Sequence, residues 1–91
     1  MGATVILQVK VMPDAPNAPL QEIENKIREF MEKHGAKSLT LEKQDVAFGL
    51  KAIVIKCAFP EEKGTDIIET GLAHIPHVSS VSIEDYRRAF G

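Results

Sequence analysis

The sequence predicts an α+β fold with the order strand, helix, strand, strand, helix, strand, and three observations carry that reading. Residues 3–12, ATVILQVKVM, alternate well enough to be a strand. Residues 50–59, LKAIVIKCAF, include the most apolar run of the chain. Two further segments, around residues 19–34 and 65–75, repeat their apolar residues at helical spacing. Two such units in 91 residues describe a split βαβ, ferredoxin-like sandwich. Right-handed crossovers then place the first and third strands at the centre of a four-stranded antiparallel sheet. Both helices cover one sheet face and the other stays open. Residues 1–91 form one domain.

The elements justify themselves in order. In the first strand Val5, Leu7, Val9 and Val11 share the face that looks into the core, because successive side chains alternate across a strand. Pro13-Asp14-Ala15-Pro16-Asn17 is turn chemistry, and Asn17 is a candidate helix cap. Leu20, Ile23, Ile27, Phe30 and Met31 fall on one helical stripe, and Gly35 follows the helix where a left-handed residue is expected. Residues 38–46 begin as an alternating strand and turn polar, as an edge strand should. The corner Ala47-Phe48-Gly49 leads into the third strand, where Ile53, Ile55, Cys57 and Phe59 face the core. Pro60 to Gly64 reads as a solvated turn, with Thr65 a candidate cap for the second helix. Gly71 lies inside that helix at a cost of about 1 kcal/mol relative to alanine, which implies close packing of the helix on the sheet. Pro76 ends it, and Val78, Val81 and Ile83 make a last strand before Tyr86-Arg87-Arg88-Ala89-Phe90-Gly91.

Composition excludes several classes of function. No apolar run approaches the roughly 20 residues that span a bilayer, and no signal-peptide pattern opens the chain. A formal net charge of −2 argues against a dedicated phosphate-backbone binder. The single Cys57 rules out an intramolecular disulfide and suits a reducing, cytoplasmic setting. It lies on an apolar strand face and reads as core rather than nucleophile. His74 and His77 have metal-like spacing, but Pro76 separates them and no cysteine or carboxylate pair joins in, so no metal site is expected. An RNA-recognition module shares the fold, yet it stacks bases on aromatics of the open face. That face here offers Ala52, Val54, Lys56 and Ala58 on the third strand and no aromatic on the first. A small-molecule-binding regulatory domain that dimerises through its sheet is a further alternative, favoured by Ile6 and Val54 on the open face. Phe48 beside Gly49 is either a packed corner or an aromatic offered to a partner.

Three stretches together carry a resemblance. VKVMPDAP (Val9 to Pro16), AFGLKA (Ala47 to Ala52) and VSSVSIEDYRR (Val78 to Arg88) resemble archaeal translation elongation factor 1-beta, in the right order and over nearly the whole chain. A chain of this length carrying the domain alone looks like the archaeal form; eukaryotic relatives carry it at the end of longer chains. The resemblance implies the ferredoxin-like sandwich and a guanine-nucleotide exchange factor for the elongation factor 1-alpha GTPase. It further implies a cytoplasmic monomer with no cofactor, no covalent chemistry of its own, and no direct contact with nucleic acid or membrane. The partner-binding residues it implies are Phe48, Gly49, Lys51, Arg87 and Arg88. Phe48 matches the family's aromatic corner, which presses near the switch region of the GTPase. Arg88 falls where eukaryotic members have a near-terminal lysine that intrudes at the Mg²⁺ position, a planar fork in place of a point charge. It is expected to project beyond the last strand, with Arg87 pointing another way.

Overall fold

A computed structural model describes residues 3–89. Its elements are β1 (Thr4–Pro13), α1 (Leu20–Lys33), β2 (Lys37–Asp45), β3 (Lys51–Pro60), α2 (Thr65–Ala73) and β4 (Val78–Ala89), with short 3₁₀ turns at Ala47–Gly49 and Glu61–Lys63. The strands form one antiparallel sheet in the order β2-β3-β1-β4, the ferredoxin-like arrangement expected from the alternation.

The core lies between one sheet face and the two helices. Val5, Leu7, Val9 and Val11 of β1 and Ile53, Ile55, Cys57 and Phe59 of β3 point into it. Ile23, Ile27 and Met31 of α1 and Ile68 and Leu72 of α2 close it from the other side. Each fully buried aliphatic or aromatic side chain contributes on the order of 1.5–3 kcal/mol. β1 supplies four of these and β3 three, more than half of the total, so the two central strands hold most of the driving force. Burial pushes the Cys57 thiol up to about 11, which makes it a core residue and a poor nucleophile.

The β1–β4 register carries two irregularities. Val9 pairs with Ile83 but Gln8 pairs with Asp85, so Glu84 is an extra residue in β4. A single inserted residue reverses which side chains face the core. Before it, Val81 and Ile83 stand opposite Val11 and Val9 on the helix side; after it, Tyr86 and Arg88 stand opposite Leu7 and Val5. The second irregularity, at Met12/Pro13, similarly skips Ser79.

Two expected caps are not used. The residue before α1 is Pro19, with no side-chain cap, because the chain has already turned through an Ala18 N–H to Ala15 O bond of 3.1 Å. Thr65 is the first residue of α2, whose cap position is Gly64 at φ 74°. Gly71 also packs differently from expectation. A Cβ there would lie 2.1 Å from Cζ of Phe30, so the close approach is between the two helices and not between helix and sheet.

This contact sets a stability prediction. Gly71→Ala gains about 1 kcal/mol of helix propensity but displaces the Phe30 ring, an overpacking that costs roughly 1–3 kcal/mol. Urea unfolding should show a net loss in the wild-type background. In a Phe30→Ala background the same substitution should raise stability, and a loss of equal size in both backgrounds would dismiss the contact.

Candidate functional site

The β2–β3 connection is built to expose one side chain. Asp45 and Lys51 form the last ladder pair, after which the Val46 N–H donates to the Leu50 carbonyl at 2.9 Å and the Leu50 N–H to the Ala47 carbonyl at 3.2 Å. Closing so short a loop takes two successive left-handed residues, Phe48 (φ 62°, ψ 30°) and Gly49 (φ 76°). Glycine takes that conformation freely; a bulky residue does so at roughly 1–2 kcal/mol. The Phe48 ring recovers nothing from the core, since the residue is 92% exposed. Of the two readings of this corner, the packed one is therefore excluded. Gly49 lies against the β1–α1 loop, where a Cβ would be 4.0 Å from Cβ of Pro16. The corner and the proline loop thus form one end of the molecule.

Lys51 is exposed at the foot of this corner. Its register puts it on the same side as Ile53, so it belongs to the corner and not to the open sheet face. Lys10 and Lys56 are on that open face, with Lys56 Nζ 3.8 Å from a Glu42 carboxylate oxygen. Reading across the sheet, the open face runs Glu42, Val54, Lys10, Ser82 and then Thr40, Lys56, Gln8, Asp85. Charges of both signs alternate there. Among the described residues this face offers no aromatic on which a base could stack.

Arg88 stands at the opposite end. It does not project beyond the last strand, because β4 continues through Ala89 and Arg88 is paired with Val5. Its guanidinium forms an ion pair with Glu61, Nη2 to Oε1 at 2.5 Å. Arg87 faces the other way, on the open side, and pairs with Asp85 at 3.1 Å. Phe90 and Gly91 lie outside the described residues. Counting along β1 from the level of Arg88 to that of Lys51 gives eight residues, or roughly 27 Å at strand rise. The structure therefore groups Phe48, Gly49 and Lys51, and separately Arg87 and Arg88, and does not bring the two groups together.

The histidines make separate contacts: His74 Nδ1 lies 2.7 Å from the Thr70 carbonyl and His77 Nδ1 3.9 Å from an Asp14 carboxylate oxygen. Among the described residues no three His, Cys, Asp or Glu side chains gather as metal ligands. No helix among them is long and apolar enough to cross a membrane.

Comparison with known proteins takes in both of these ends. The sequence profile of the EF-1 guanine nucleotide exchange domain matches residues 6–89. The chain belongs to the EF-1 guanine nucleotide exchange domain family. It is 39% identical to elongation factor 1-beta of Methanocaldococcus jannaschii over 80 residues, covering 87% of this chain and 90% of that one. Against elongation factor 1-beta of Haloarcula marismortui the identity is 34% over 85 residues, 92% of this chain and 96% of that one. Against that of Methanocella arvoryzae it is 34% over 89 residues, 97% and 99%. The match takes in both the Phe48 corner and Arg88.

Sequence reasoning missed Glu61, read as part of a solvated turn. No local signal marks it, since its partner is 27 positions away and faces it only because Glu84 is inserted in β4.

The corner's exposure gives a stability test that separates it from a packed turn. Phe48→Ala should cost less than about 0.5 kcal/mol in urea unfolding, as for a surface site. Phe48→Gly should raise stability by about 1 kcal/mol through relief of the left-handed strain. A Phe48→Ala loss of core size, roughly 3–5 kcal/mol, would show that the ring is packed.

Proposed function

We propose that this chain is the guanine-nucleotide exchange factor of the elongation factor 1-alpha GTPase, and that it acts at both ends of its sheet. The family match over residues 6–89 carries the activity. The strained, 92%-exposed Phe48 supports the corner as a contact, since a left-handed aromatic that adds nothing to the core has its use outside the fold. The protein works as a cytoplasmic monomer, without covalent chemistry and without cofactor.

An exchange factor binds the nucleotide-free GTPase more tightly than the nucleotide-bound form. The difference is a coupling free energy, and bound nucleotide weakens the factor by the same amount. A thousandfold faster GDP release lowers the dissociation barrier by about 4 kcal/mol. Mg²⁺ helps to hold GDP, so a cation delivered to the Mg²⁺ position repels the metal and competes for the acidic groups and phosphate oxygens that bind it, and GDP is weakened through the loss of Mg²⁺. Arg88 supplies that cation. Phe48, with Gly49 and Lys51, supplies binding energy on a second surface some 27 Å away by strand rise. The aromatic corner and the cation therefore cannot press on one point of the GTPase. Arg87, turned to the open face and paired with Asp85, is a secondary contact.

The direct experiment is release of labelled GDP from elongation factor 1-alpha with and without this protein. Phe48→Ala should raise the factor concentration needed for half-maximal release. Arg88→Ala should lower the maximal rate by at least tenfold, Arg87→Ala by much less, and high Mg²⁺ should inhibit the wild type. An Arg88→Ala protein that exchanges at the wild-type rate in low and high Mg²⁺ alike would remove the cation from the mechanism.

Lys51→Glu tests the corner's charge. Association should weaken, and more so at low ionic strength than at high, because an exposed charge is screened beyond about 10 Å in 0.1 M salt. Equal affinity for both proteins at both ionic strengths would take Lys51 out of the contact.

A further inference from the structure

We infer that Glu61 is a positioning residue for Arg88: it holds the guanidinium at the end of the sheet in the orientation from which it acts. This rests on the reading of Arg88 given above and adds a residue to it.

The anchor is tied to the sheet through its backbone. Glu61 opens the 3₁₀ turn after β3, and its N–H donates to the Ala3 carbonyl at 2.9 Å, tying the turn to the start of β1. Its side chain is only 26% exposed. Arg88 is fixed at its backbone by the pairing with Val5, so only its side chain can move. The long, flexible arginine side chain would otherwise sample many rotamers, and a group that must be immobilised on docking gives up binding free energy to do so. The 2.5 Å ion pair to Glu61 sets that geometry beforehand.

A latch that hides Arg88 until the partner arrives is the opposite use of the same contact, and two observations speak against it. The guanidinium side chain remains 66% exposed while paired, so most of its five donors are available to an anionic partner. The other Glu61 oxygen, Oε2, is buried and has no hydrogen-bond partner among the described residues, so among them Arg88 supplies the carboxylate's one side-chain bond, which a latch would have to give up. Arg88 therefore keeps its bond to Glu61 and meets the GTPase with its remaining N–H groups.

A double-mutant cycle on GDP release at saturating factor tests this. Glu61→Gln keeps the size and removes the charge; Glu61→Ala removes the anchor; Glu62→Gln controls for net charge. Both Glu61 variants should lower the maximal rate roughly three- to tenfold, as expected for freeing one long side chain, with Glu62→Gln at wild-type level. In an Arg88→Ala background neither Glu61 change should lower the rate further. Thermal unfolding checks that each variant is folded, and ¹⁵N relaxation of the Arg88 Nε–Hε group should show greater mobility in Glu61→Ala. Faster exchange in Glu61→Ala would overturn positioning in favour of a latch. A slow Arg88→Ala beside unchanged Glu61 variants, or Glu61 losses of equal size with and without Arg88, would overturn it while leaving Arg88 in place. Wild-type exchange by Arg88→Ala would overturn the role of Arg88 itself and this inference with it.

Discussion

The position of β1 between β3 and β4 is the constraint on which the remaining structure depends. Its inward residues Val5, Leu7, Val9 and Val11 form the floor of the core, and its two edges set the register of both neighbours. Every candidate contact is therefore located by its level along one strand. The Phe48 corner stands beyond the Pro13 end and Arg88 stands at the Val5 end. A strand of this length is stiff once both edges are paired, so the spacing of the two ends is a built-in dimension and not an average over motions.

That stiffness explains how a chain of 91 residues serves a task that needs no cleft. A small domain buries too little surface to build a deep pocket. It can hold a few side chains at fixed places on its rim, and this fold does so with local devices. At one end two left-handed residues close a loop and force an aromatic outward. At the other an inserted residue in β4 turns Arg88 toward the helix side, where the turn after β3 supplies a carboxylate. Neither device draws on the core, so the residues at both ends are free to be chosen for a partner.

The elements were legible in the sequence wherever burial on one face imposed a period. The alternation of β1 and the stripe Leu20, Ile23, Ile27, Met31 located their elements to within a residue or two. The corner was legible as a position but not as an exposure, because a Phe beside a Gly fits both a packed and an exposed turn. What failed depended on contacts between distant segments. Alternation from Val81 and Ile83 carries Arg87, not Arg88, to the helix side, and only the insertion of Glu84 reverses it. The pairing of Arg88 with Glu61 follows from that reversal, so it could not be read from either segment alone. Gly71 failed for the same reason: its tight neighbour, Phe30, is on the other helix.

The separation of the two ends also constrains how exchange can be driven. If Phe48 and Arg88 act on one GTPase, the corner cannot touch the same groups as the cation, and it contributes binding energy remote from the nucleotide. Remote binding energy of this kind accelerates release only when it is tied, through a rigid body, to a contact that differs between the nucleotide-bound and nucleotide-free states. A flexible connection would let the corner bind while Arg88 stayed clear of the nucleotide, and the affinity gained would be uniform across both states. The continuous sheet between the corner and Arg88, with β1 paired on both edges, removes that freedom. If both ends act on the GTPase, the scaffold itself converts binding at one end into displacement at the other.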